Sequence, residues 1–418
     1  MSFTLERGCS DVIVTAFENI ARLIMWATSN EIDGTIEDYG IAIGDNGLIQ
    51  ISRGRDTINF QPVNSGTTQD LKGADIRSGG FSAFAVGNNG TIVRSTNRGV
   101  NWSVIPTGST ANLNAVRFGF GGNHFAVGDN GTILKSSNLG QNWSAISSTT
   151  TRNLNAVSSH ANSIEFVVAA GDKGTILRST NFGLNWINVS LTDTSVNIYS
   201  INPASVGISQ ITSFYICGSQ GRIYKSTNFG STWILKNSGT TNTLRSIYFS
   251  SEDSGAVTGD NGTVRMTTNG GETWFADPYF NNVPGNITSI SQMPRSTKTF
   301  TALSNNNTLL VASEDSVTVI IGIQTISTEI PKSFSLSQNY PNPFNPTTHF
   351  GFRIADFGLV RLSVYDALGK EVTILVNQQL QPGTYEFSWD ASGYSSGVYF
   401  YKLITDEFSE TRKMVLIK

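Results

Sequence analysis

Short apolar runs alternate with Gly, Asn, Ser and Thr from about residue 40 to about residue 320. One group consists of LNAVRFG from Leu113, HFAVGD from His124, GTILKSS from Gly131 and NWSAIS from Asn142. Runs of this length, bounded by turn residues and without a helical period, predict four β-strands. The Asp-Asn-Gly between the second and third runs supplies residues that tolerate a left-handed backbone, which a tight hairpin requires.

The same phrase recurs along the chain. Its five clear copies are VGNNGTIVRSTNRGVNW, VGDNGTILKSSNLGQNW, AGDKGTILRSTNFGLNW, CGSQGRIYKSTNFGSTW and TGDNGTVRMTTNGGETW. Weaker copies precede them at IGDNGLIQIS and follow them at ALSNNNTLLVASEDS. Units of about 40 to 45 residues with four antiparallel strands are typical of a β-propeller. Seven such units predict seven blades.

Each unit has apolar residues on both faces of its sheet, such as Ala126 beside Val127 and Ile133 beside Leu134. An isolated sheet would leave one of these faces in water, so radial stacking is expected to bury both. One tryptophan recurs in step with the units and is expected to pack under or between the blades; the five are Trp102, Trp143, Trp186, Trp233 and Trp274.

A second module begins near Ile323, where the repeat stops and proline becomes frequent. Its runs VRLSVYDALGKEV, GTYEFSWDASGYSSGVYFYKL and TRKMVLIK predict an antiparallel sandwich of about seven short strands. The predicted fold is therefore all-β, a seven-bladed β-propeller followed by an immunoglobulin-like β-sandwich. The expected boundaries are an N-terminal segment at 1–39, the propeller at 40–322, a linker at 323–335 and the sandwich at 336–418.

Composition narrows the function classes. Charged residues are 14% of the chain and its formal net charge is −3, which argues against a nucleic-acid binder or a polybasic membrane binder. Two cysteines, Cys9 and Cys217, cannot build a disulfide framework, and three scattered histidines cannot build a histidine-rich metal site. We expect no metal and no cofactor, and no apolar run is long enough to predict a transmembrane helix.

The hairpin before each tryptophan reads Ser-x-Asn-x-Gly-x-Asn/Thr-Trp, for example Ser136, Asn138, Gly140 and Trp143. It resembles the Asp-box of bacterial neuraminidase repeats, with Asn in place of Asp. In those families the element is structural and lies away from the active site. The whole repeat resembles the propeller of photosystem II assembly factors, over roughly residues 40 to 320. That resemblance implies the fold, whereas a photosystem role conflicts with the tail described next.

The tail, from about residue 333, resembles the type A C-terminal sorting domain of the type IX secretion system. The residues that carry the resemblance include Tyr340, Pro341, Asn342, Pro343, Gly369, Gly397, Tyr399 and Lys413. The resemblance implies export through the outer membrane, with the type IX machinery as partner and a secreted or cell-surface location. Such cargo begins with a signal peptide, yet MSFTLERGCSDVIVTAFENIARLIMWA has no basic segment followed by a clean apolar run. We therefore expect this start to be truncated or mis-called.

Motifs for catalysis are few. Ser395 lies in a Gly-x-Ser-x-Gly pattern, but it precedes a predicted strand where a nucleophile elbow needs a helix. A sialidase-like glycosidase is the enzymatic alternative, because sialidases share the propeller and the Asp-box. Sialidase chemistry would require an arginine cluster, a Tyr and Glu pair and an acid-base Asp, while other glycosidases need two carboxylates at a set separation. The candidate carboxylates outside the repeat phase belong to no assignable motif; they are Asp75, Glu165, Asp193, Glu252, Asp253 and Glu314.

Four cations recur four residues after the turn glycine and are expected to lie around the axis at one level: Arg94, Lys135, Arg178 and Lys225. Such a partial ring could bind an acidic segment or an anionic glycan. Alternatively, each cation covers its tryptophan or pairs with a neighbouring backbone carbonyl. The predicted function is an exported, non-catalytic binding protein for a protein or glycan ligand, with no nucleic-acid partner; the alternative is a secreted glycoside hydrolase.

Overall fold

A computed structural model of the chain describes residues 21–30, 36–53, 60–77, 82–159, 166–206, 210–276, 285–292, 300–304, 309–313, 316–320, 324–327, 331–356, 358–380, 382–391 and 393–418. These residues form β-strands joined by turns, and no α-helix occurs among them. The all-β prediction is confirmed. None of the described residues belongs to a helix long and apolar enough to cross a membrane. The chain divides into two compact units, which meet in sequence at Ile321.

The first unit contains seven antiparallel sheets, each made of four consecutive strands. The first four sheets are β1 to β4 (Ala21–Asn30, Ile36–Gly44, Ile49–Arg53, Gln61–Val63), β5 to β8 (Leu71–Ile76, Ala83–Gly87, Ile92–Ser95, Ser103–Ile105), β9 to β12 (Leu113–Phe118, His124–Gly128, Ile133–Ser136, Ser144–Ile146) and β13 to β16 (Leu154–Ser159, Val167–Gly171, Ile176–Ser179, Ile187–Asn188).

The remaining three sheets of this unit are β17 to β20 (Ile198–Val206, Gln210–Gly218, Ile223–Ser226, Ile234–Lys236), β21 to β24 (Leu244–Phe249, Gly255–Gly259, Val264–Thr267, Phe275–Ala276) and β25 to β28 (Ile287–Gln292, Phe300–Ser304, Leu309–Ser313, Ser316–Ile320). The first strand of each sheet lies beside the first strand of the next, and β1 lies beside β25. We call these seven first strands the inner strands, because their cyclic order places them around one axis.

The second and third strands of a sheet are joined by a turn whose two central residues are both left-handed, for example Asn130 at φ 55° and Gly131 at φ 69°. This type I′ geometry suits the twist of a hairpin and explains the Asn-Gly pairs of the repeat. Short 3-10 segments contain five of these turns and one further loop: Asp45–Gly47, Asn88–Gly90, Phe120–Gly122, Asp129–Gly131, Asp172–Gly174 and Ser219–Gly221.

Apolar side chains of neighbouring sheets meet in shared cores. Phe84 and Val86 of the second sheet pack with Val116 and Phe118 of the third, and the Trp143 ring meets Phe84 edge-on at 5.5 Å between centroids. Each described core in this unit joins two successive sheets. Burial of both faces, as the paired apolar residues predict, is therefore observed, and Trp143 lies between sheets.

The hairpin between the third and fourth strands is held by its own side chains. Ser136 Oγ accepts a hydrogen bond from the Gly140 N–H at 2.9 Å, and Asn138 Oδ1 accepts one from the Asn142 N–H at 3.0 Å. Equivalent bonds occur in the other four hairpins of the motif. An amide oxygen thus performs the turn-closing role of a carboxylate oxygen.

The second unit contains eight strands in two antiparallel sheets. They are β29 (Gln324–Ser327), β30 (Ser335–Leu336), β31 (Thr347–Ile354), β32 (Gly358–Tyr365), β33 (Glu371–Leu380), β34 (Gly383–Asp390), β35 (Gly397–Ile404) and β36 (Ser409–Leu416). The strand orders are β29-β34-β31-β30 and β33-β32-β35-β36. One core contains side chains from both sheets, among them Phe350, Trp389 and Tyr401.

Two element positions differ from the expected boundaries. The first sheet begins at Ala21, before the boundary expected at residue 40, and β29 lies within the segment 323–335 that was expected to be a linker. The first difference has a simple cause. The recognisable Asp-Asn-Gly turn joins the second and third strands, so every sheet starts two strands before its most visible motif.

Candidate functional site

Each inner strand carries one extra residue near its start. Leu71 pairs with Gly87 and Gly73 pairs with Val86, so Lys72 is left unpaired as a β-bulge. The same shift occurs in all seven sheets. Bulges commonly occur beside functional sites, where they re-aim a side chain. The seven bulge residues, which we call the mouth ring, are Arg22, Lys72, Asn114, Asn155, Tyr199, Arg245 and Thr288.

Two asparagines of the mouth ring connect successive sheets. Asn114 Nδ2 donates to the Leu154 carbonyl of the next inner strand at 3.1 Å and to Asp129 Oδ1 of its own turn at 2.9 Å. Asn155 repeats the arrangement, donating to the Ile198 carbonyl and to Asp172 Oδ1. The ring is therefore a continuous feature of one end of the inner strands, where the turns between second and third strands also lie.

The cationic members of the mouth ring differ in their surroundings. The Arg245 guanidinium pairs with the Asp260 carboxylate through two hydrogen bonds and lies 5.9 Å from the Tyr199 ring centroid. Lys72 is half-buried, and no carboxylate within the described residues lies at ion-pair distance from it. An ammonium without a carboxylate partner can bind a polar or anionic group.

The fifth residue of the inner strands lies at the end opposite the mouth ring, where it faces the next sheet. Asp75 Oδ2 accepts a hydrogen bond from the Phe118 N–H at 2.7 Å, Oδ1 accepts one from the Ile76 N–H at 3.0 Å, and Arg117 Nη1 lies 3.5 Å away. Burial raises the pKa of Asp75, while Arg117 and the two N–H groups act in the opposite direction. This carboxylate is used to hold two strands together, as Asn202 Oδ1 does for the Phe249 N–H.

The other candidate carboxylates do not converge in the described part of the chain. Asp193 lies in the exposed loop before β17, where hydrogen bonds from Ser195 lower its pKa. Glu252 and Asp253 lie in the loop between β21 and β22, at the opposite end of the sheets. Glu165 and Glu314 fall outside the described residues. No cluster of metal-ligating side chains was found among the residues that the structure describes.

The four predicted cations lie on the third strands β7, β11, β15 and β19. Arg178 Nε donates to the Phe229 carbonyl at 2.7 Å, and Lys225 Nζ donates to the Gly270 carbonyl at 2.8 Å and to Glu272. These acceptors belong to hairpins of the following sheet. For Arg178 and Lys225, these contacts favour the alternative that each cation pairs with a neighbouring backbone carbonyl and does not bind a ligand.

The first two of these cations show no such contact. Lys135 is buried, which lowers its pKa, and Arg94 Nε is buried without a hydrogen-bond partner. Ligand binding by the four stays a prediction. Sequence reasoning missed the mouth ring because its members share no residue type. The signal was positional: each member is the second residue of an inner strand.

In the second unit, the residues of the sorting motif occupy three places. Asn342 Oδ1 accepts a hydrogen bond from the Val415 N–H at 2.9 Å, and Asn342 Nδ2 donates to the Lys413 carbonyl at 3.4 Å. Tyr340 is 79% exposed beside them. Gly369 turns the chain after β32 with φ 81°, Gly397 opens β35, and the Tyr399 hydroxyl donates to the Ser395 carbonyl.

Comparison with known proteins agrees with this division of the chain. Residues 338–418 match the family described as the secretion system C-terminal sorting domain. No curated protein matches the chain. A solved structure of YCF48 from Cyanidioschyzon merolae is similar at 18% identity and a TM-score of 0.55, covering 71% of this chain and 97% of its own.

Two further structures show the same fold similarity. YCF48 bound to D1 peptide gives 17% identity and a TM-score of 0.55, covering 72% of this chain and 96% of its own. The GH74 enzyme of Niastella koreensis gives 14% identity and a TM-score of 0.58, covering 95% and 73%. Identities this low establish the fold alone. The first unit thus has a β-propeller fold similar to that of YCF48, residues 338–418 form a type IX secretion system C-terminal sorting domain, and the protein is secreted or located at the cell surface.

Proposed function

We propose that this protein is an exported, seven-bladed β-propeller that binds a protein or glycan ligand at its mouth ring without catalysis. The seven four-stranded sheets in cyclic contact support the blade count. Two antiparallel sheets around one core support an immunoglobulin-like sandwich for the tail. The proposed division is a propeller up to about residue 322 and a sorting domain from about 336.

The chemistry of the mouth ring carries the proposal. Its members are cations, amides, a phenol and a hydroxyl, whereas most glycoside hydrolases use two carboxyl groups roughly 5 to 10 Å apart. Three carboxylates at this end, Asp129, Asp172 and Asp260, are each hydrogen-bonded to a ring residue of their own sheet, and Asp70 accepts hydrogen bonds from Asn46 N–H and the Asn88 side chain. Asp75, at the far end, is occupied by backbone N–H groups. These side chains organise a surface for recognition.

The comparisons bear on the ligand class. One similar structure is YCF48 bound to D1 peptide, which supports a peptide or protein ligand for a propeller of this type. Another is a GH74 enzyme, which keeps a glycoside hydrolase as the second candidate. The two candidates differ in a measurable way, since only the second releases reducing sugar from a glycan.

Binding is tested by screening the full chain on arrays of peptides and glycans. The affinity of each ligand found is then measured for the wild type and for variants. We expect the double variant Lys72→Ala, Tyr199→Ala to lose at least tenfold in affinity for a ligand of the mouth ring. Arg77→Ala is the matched control, because Arg77 follows the opposite end of the same inner strand as Lys72. Equal loss in both variants, or release of sugar from xyloglucan or sialosides by the wild type, would contradict the proposal.

Export is tested in a type IX-competent host by comparing the full chain with a variant that ends before Ile330. We propose that the type IX machinery recognises the tail as an address, so the truncated protein should remain inside the cells. Surface labelling and intact mass report the location and any cleavage. Surface exposure of the truncated protein would show that the tail is not required for sorting.

A further inference from the structure

An open depression lies at the mouth-ring end of the third sheet, on the loop that joins β12 to β13. Its volume is about 640 Å³, and it is lined by residues 146–152. Ile146 is the only apolar residue of this lining; the others are two serines, three threonines and Arg152. We call this feature the loop depression. Its lining offers a ligand mostly polar groups.

Three other loops of the same length allow each position of this loop to be compared with its equivalents. They join β4 to β5, β8 to β9 and β20 to β21, at residues 64–70, 106–112 and 237–243. In all four loops, hydroxyl groups at the second and fourth positions accept hydrogen bonds from the backbone N–H groups two residues further along. Ser148 and Thr150 of the loop depression therefore hold the backbone of their own loop.

Thr149, at the third position, departs from the repeat. The equivalent residues are the glycines Gly66, Gly108 and Gly239, with φ values of 69 to 76°, and φ at Thr149 is 63°. A β-branched residue is disfavoured in this left-handed conformation, whereas glycine adopts it without strain. Packing does not require a side chain either, because a Cβ at Gly108 would meet no atom within 4 Å. A strained residue that the fold does not need points to a role in function.

Two cations that also depart from the repeat meet beside Thr149. Arg152 stands where the three equivalent loops have an uncharged residue, and its Nη1 donates to the Lys173 carbonyl of the fourth sheet at 2.9 Å. Lys173 occupies the first left-handed position of its turn, with φ 54°, where the other five described turns have asparagine or glutamine. Three departures from the repeat thus occur together at one junction between sheets.

Both cations are available to a ligand. Arg152 and Lys173 are exposed, and none of the described carboxylates lies at ion-pair distance from either. Asp172, which precedes Lys173, accepts a hydrogen bond from Asn155, and Asp193 accepts hydrogen bonds within its own loop. An exposed guanidinium with spare N–H groups and no carboxylate partner can bind an anionic group, often through two hydrogen bonds.

Three further hydroxyl groups line the depression beside Arg152. Ser147, Thr149 and Thr151 are exposed, and none of them hydrogen-bonds to another residue in the described part of the chain. A hydroxyl group both donates and accepts hydrogen bonds, as the hydroxyl groups of a sugar do. With Ile146 as its one apolar side chain, the lining offers little to the apolar side chains of a peptide. It fits a ligand that carries many hydroxyl groups and a negative charge.

We propose that the loop depression binds an acidic glycan. Arg152 pairs with a carboxylate or sulfate substituent of one sugar, and Lys173 adds to the positive potential around it. The hydroxyl groups of the lining exchange hydrogen bonds with those of the glycan. None of the lining residues belongs to the mouth ring, so this site goes beyond the binding function proposed above and does not depend on it.

The test uses calorimetry to measure the affinity of the full chain for an oligogalacturonate and for its methyl ester, which has the same sugars without the charge. A sulfated dextran and plain dextran form a second pair, which distinguishes sulfate from carboxylate as the substituent that is recognised. We expect one charged glycan to bind at least tenfold more tightly than its neutral counterpart. Its affinity should fall in 0.5 M NaCl, because salt screens exposed cations.

The variants use residues that other sheets carry at the same positions, so the fold should be retained. Arg152→Gln should bind the charged glycan at least tenfold more weakly, and the triple variant Thr149→Gly, Arg152→Gln, Lys173→Asn should not bind it measurably. The thermal midpoint of the triple variant should equal or exceed that of the wild type, because glycine and asparagine suit the left-handed conformation.

The double variant Lys72→Ala, Tyr199→Ala is the matched control, since it also removes one cation from this end of the sheets, and it should bind the glycan as the wild type does. The proposal is overturned if the wild type binds neither charged glycan more tightly than its neutral counterpart, or if the triple variant retains wild-type affinity.

Two other results would also overturn the proposal of an acidic-glycan site. Tighter binding to polyglutamate than to either charged glycan would indicate an acidic peptide as the ligand. Equal losses of affinity in Arg152→Gln and in the control would place the glycan on the mouth ring. Because the two sites are tested with different variants, failure of this proposal is distinguishable from failure of the mouth-ring proposal.

Discussion

The Asp75 carboxylate on β5 accepts a hydrogen bond from the backbone N–H of Phe118 on β9, at 2.7 Å, so a side chain of one sheet holds the inner strand of the next. Inner strands are the edges of their sheets, and their outward N–H groups have no strand partner. Side chains of the preceding sheet supply the missing acceptors elsewhere too: Ser200 and Asn202 bond to β21, and Ser246 bonds to β25.

Replacing Asp75 by Ala should destabilise the propeller strongly. The change leaves the buried Phe118 N–H without an acceptor and Arg117 without its counter-ion, and each unsatisfied buried polar group costs about 1–3 kcal/mol. We expect a loss of about 3 kcal/mol in the free energy of unfolding, measured by chemical denaturation. Asp75→Asn keeps one acceptor, as Asn202 does in sheet five, and should lose less. Equal stability of the Ala variant and the wild type would show that the contact is unimportant.

Ser158 occupies on β13 the position that Asp75 occupies on β5, but its side chain should be dispensable for stability. Its Oγ is buried without a hydrogen-bond partner, because the residue of β17 that corresponds to Phe118 is Pro203, which has no N–H. Ser158→Ala should therefore change the free energy of unfolding by less than about 0.5 kcal/mol. Asn202→Ala should cost about 1–2 kcal/mol, because the Phe249 N–H loses its acceptor. Equal costs for the two variants would refute this account.

The sequence allowed the repeat, the paired apolar faces and the sorting motif to be recognised, because each depends on residues that recur or stand in a fixed order. Glycine at the turns and Ser with Asn at the hairpins recur because each sheet needs the same backbone conformation there. Recurrence also explains why Arg178 and Lys225 resembled part of a ligand ring, although each of these two side chains bonds a hairpin carbonyl of the next sheet.

The mouth ring was not predictable from such recurrence. A bulge is a property of strand pairing, and Lys72, Asn155 and Tyr199 reveal their equivalence only when the register of each sheet is known. The loop depression was missed for the opposite reason, since Thr149 and Lys173 replace residue types that recur in other sheets.

His124 should make the propeller less stable in acid. It is 1% exposed, packed against Phe84 and Phe118, and burial lowers its pKa to about 4, from 6.5 in the unfolded chain. The unfolded state therefore binds more protons between these two values, so stability is complete above pH 6.5 and falls as the pH drops towards 4. A difference of this size corresponds to about 3 kcal/mol.

The measurement is urea denaturation at pH 7, 6, 5 and 4.5. The variant His124→Phe keeps an aromatic ring in the cluster and removes the titrating group, so its stability should fall less over the same range. Parallel pH profiles for the wild type and the variant would assign the acid sensitivity to other groups.

Asn342 should protect the outer edge of the C-terminal strand. β36 is an edge strand, and the Val415 N–H on its free side donates to Asn342 Oδ1 while the Val415 carbonyl accepts from the Phe344 N–H at 3.0 Å. Covering an edge in this way prevents pairing with another chain. In Asn342→Ala, amide hydrogen exchange at Val415 should be about fivefold faster, since the loss of one hydrogen bond costs about 1 kcal/mol.

Asn342→Asp is the matched control for this edge, because its carboxylate retains an acceptor for the Val415 N–H while losing the donor to the Lys413 carbonyl. It should keep wild-type exchange at Val415. The Ala variant should in addition self-associate more readily, detectable by light scattering, because an uncovered strand edge is a template for pairing. Unchanged exchange at Val415 in the Ala variant would mean that the backbone contacts of Phe344 are sufficient to hold the segment on β36.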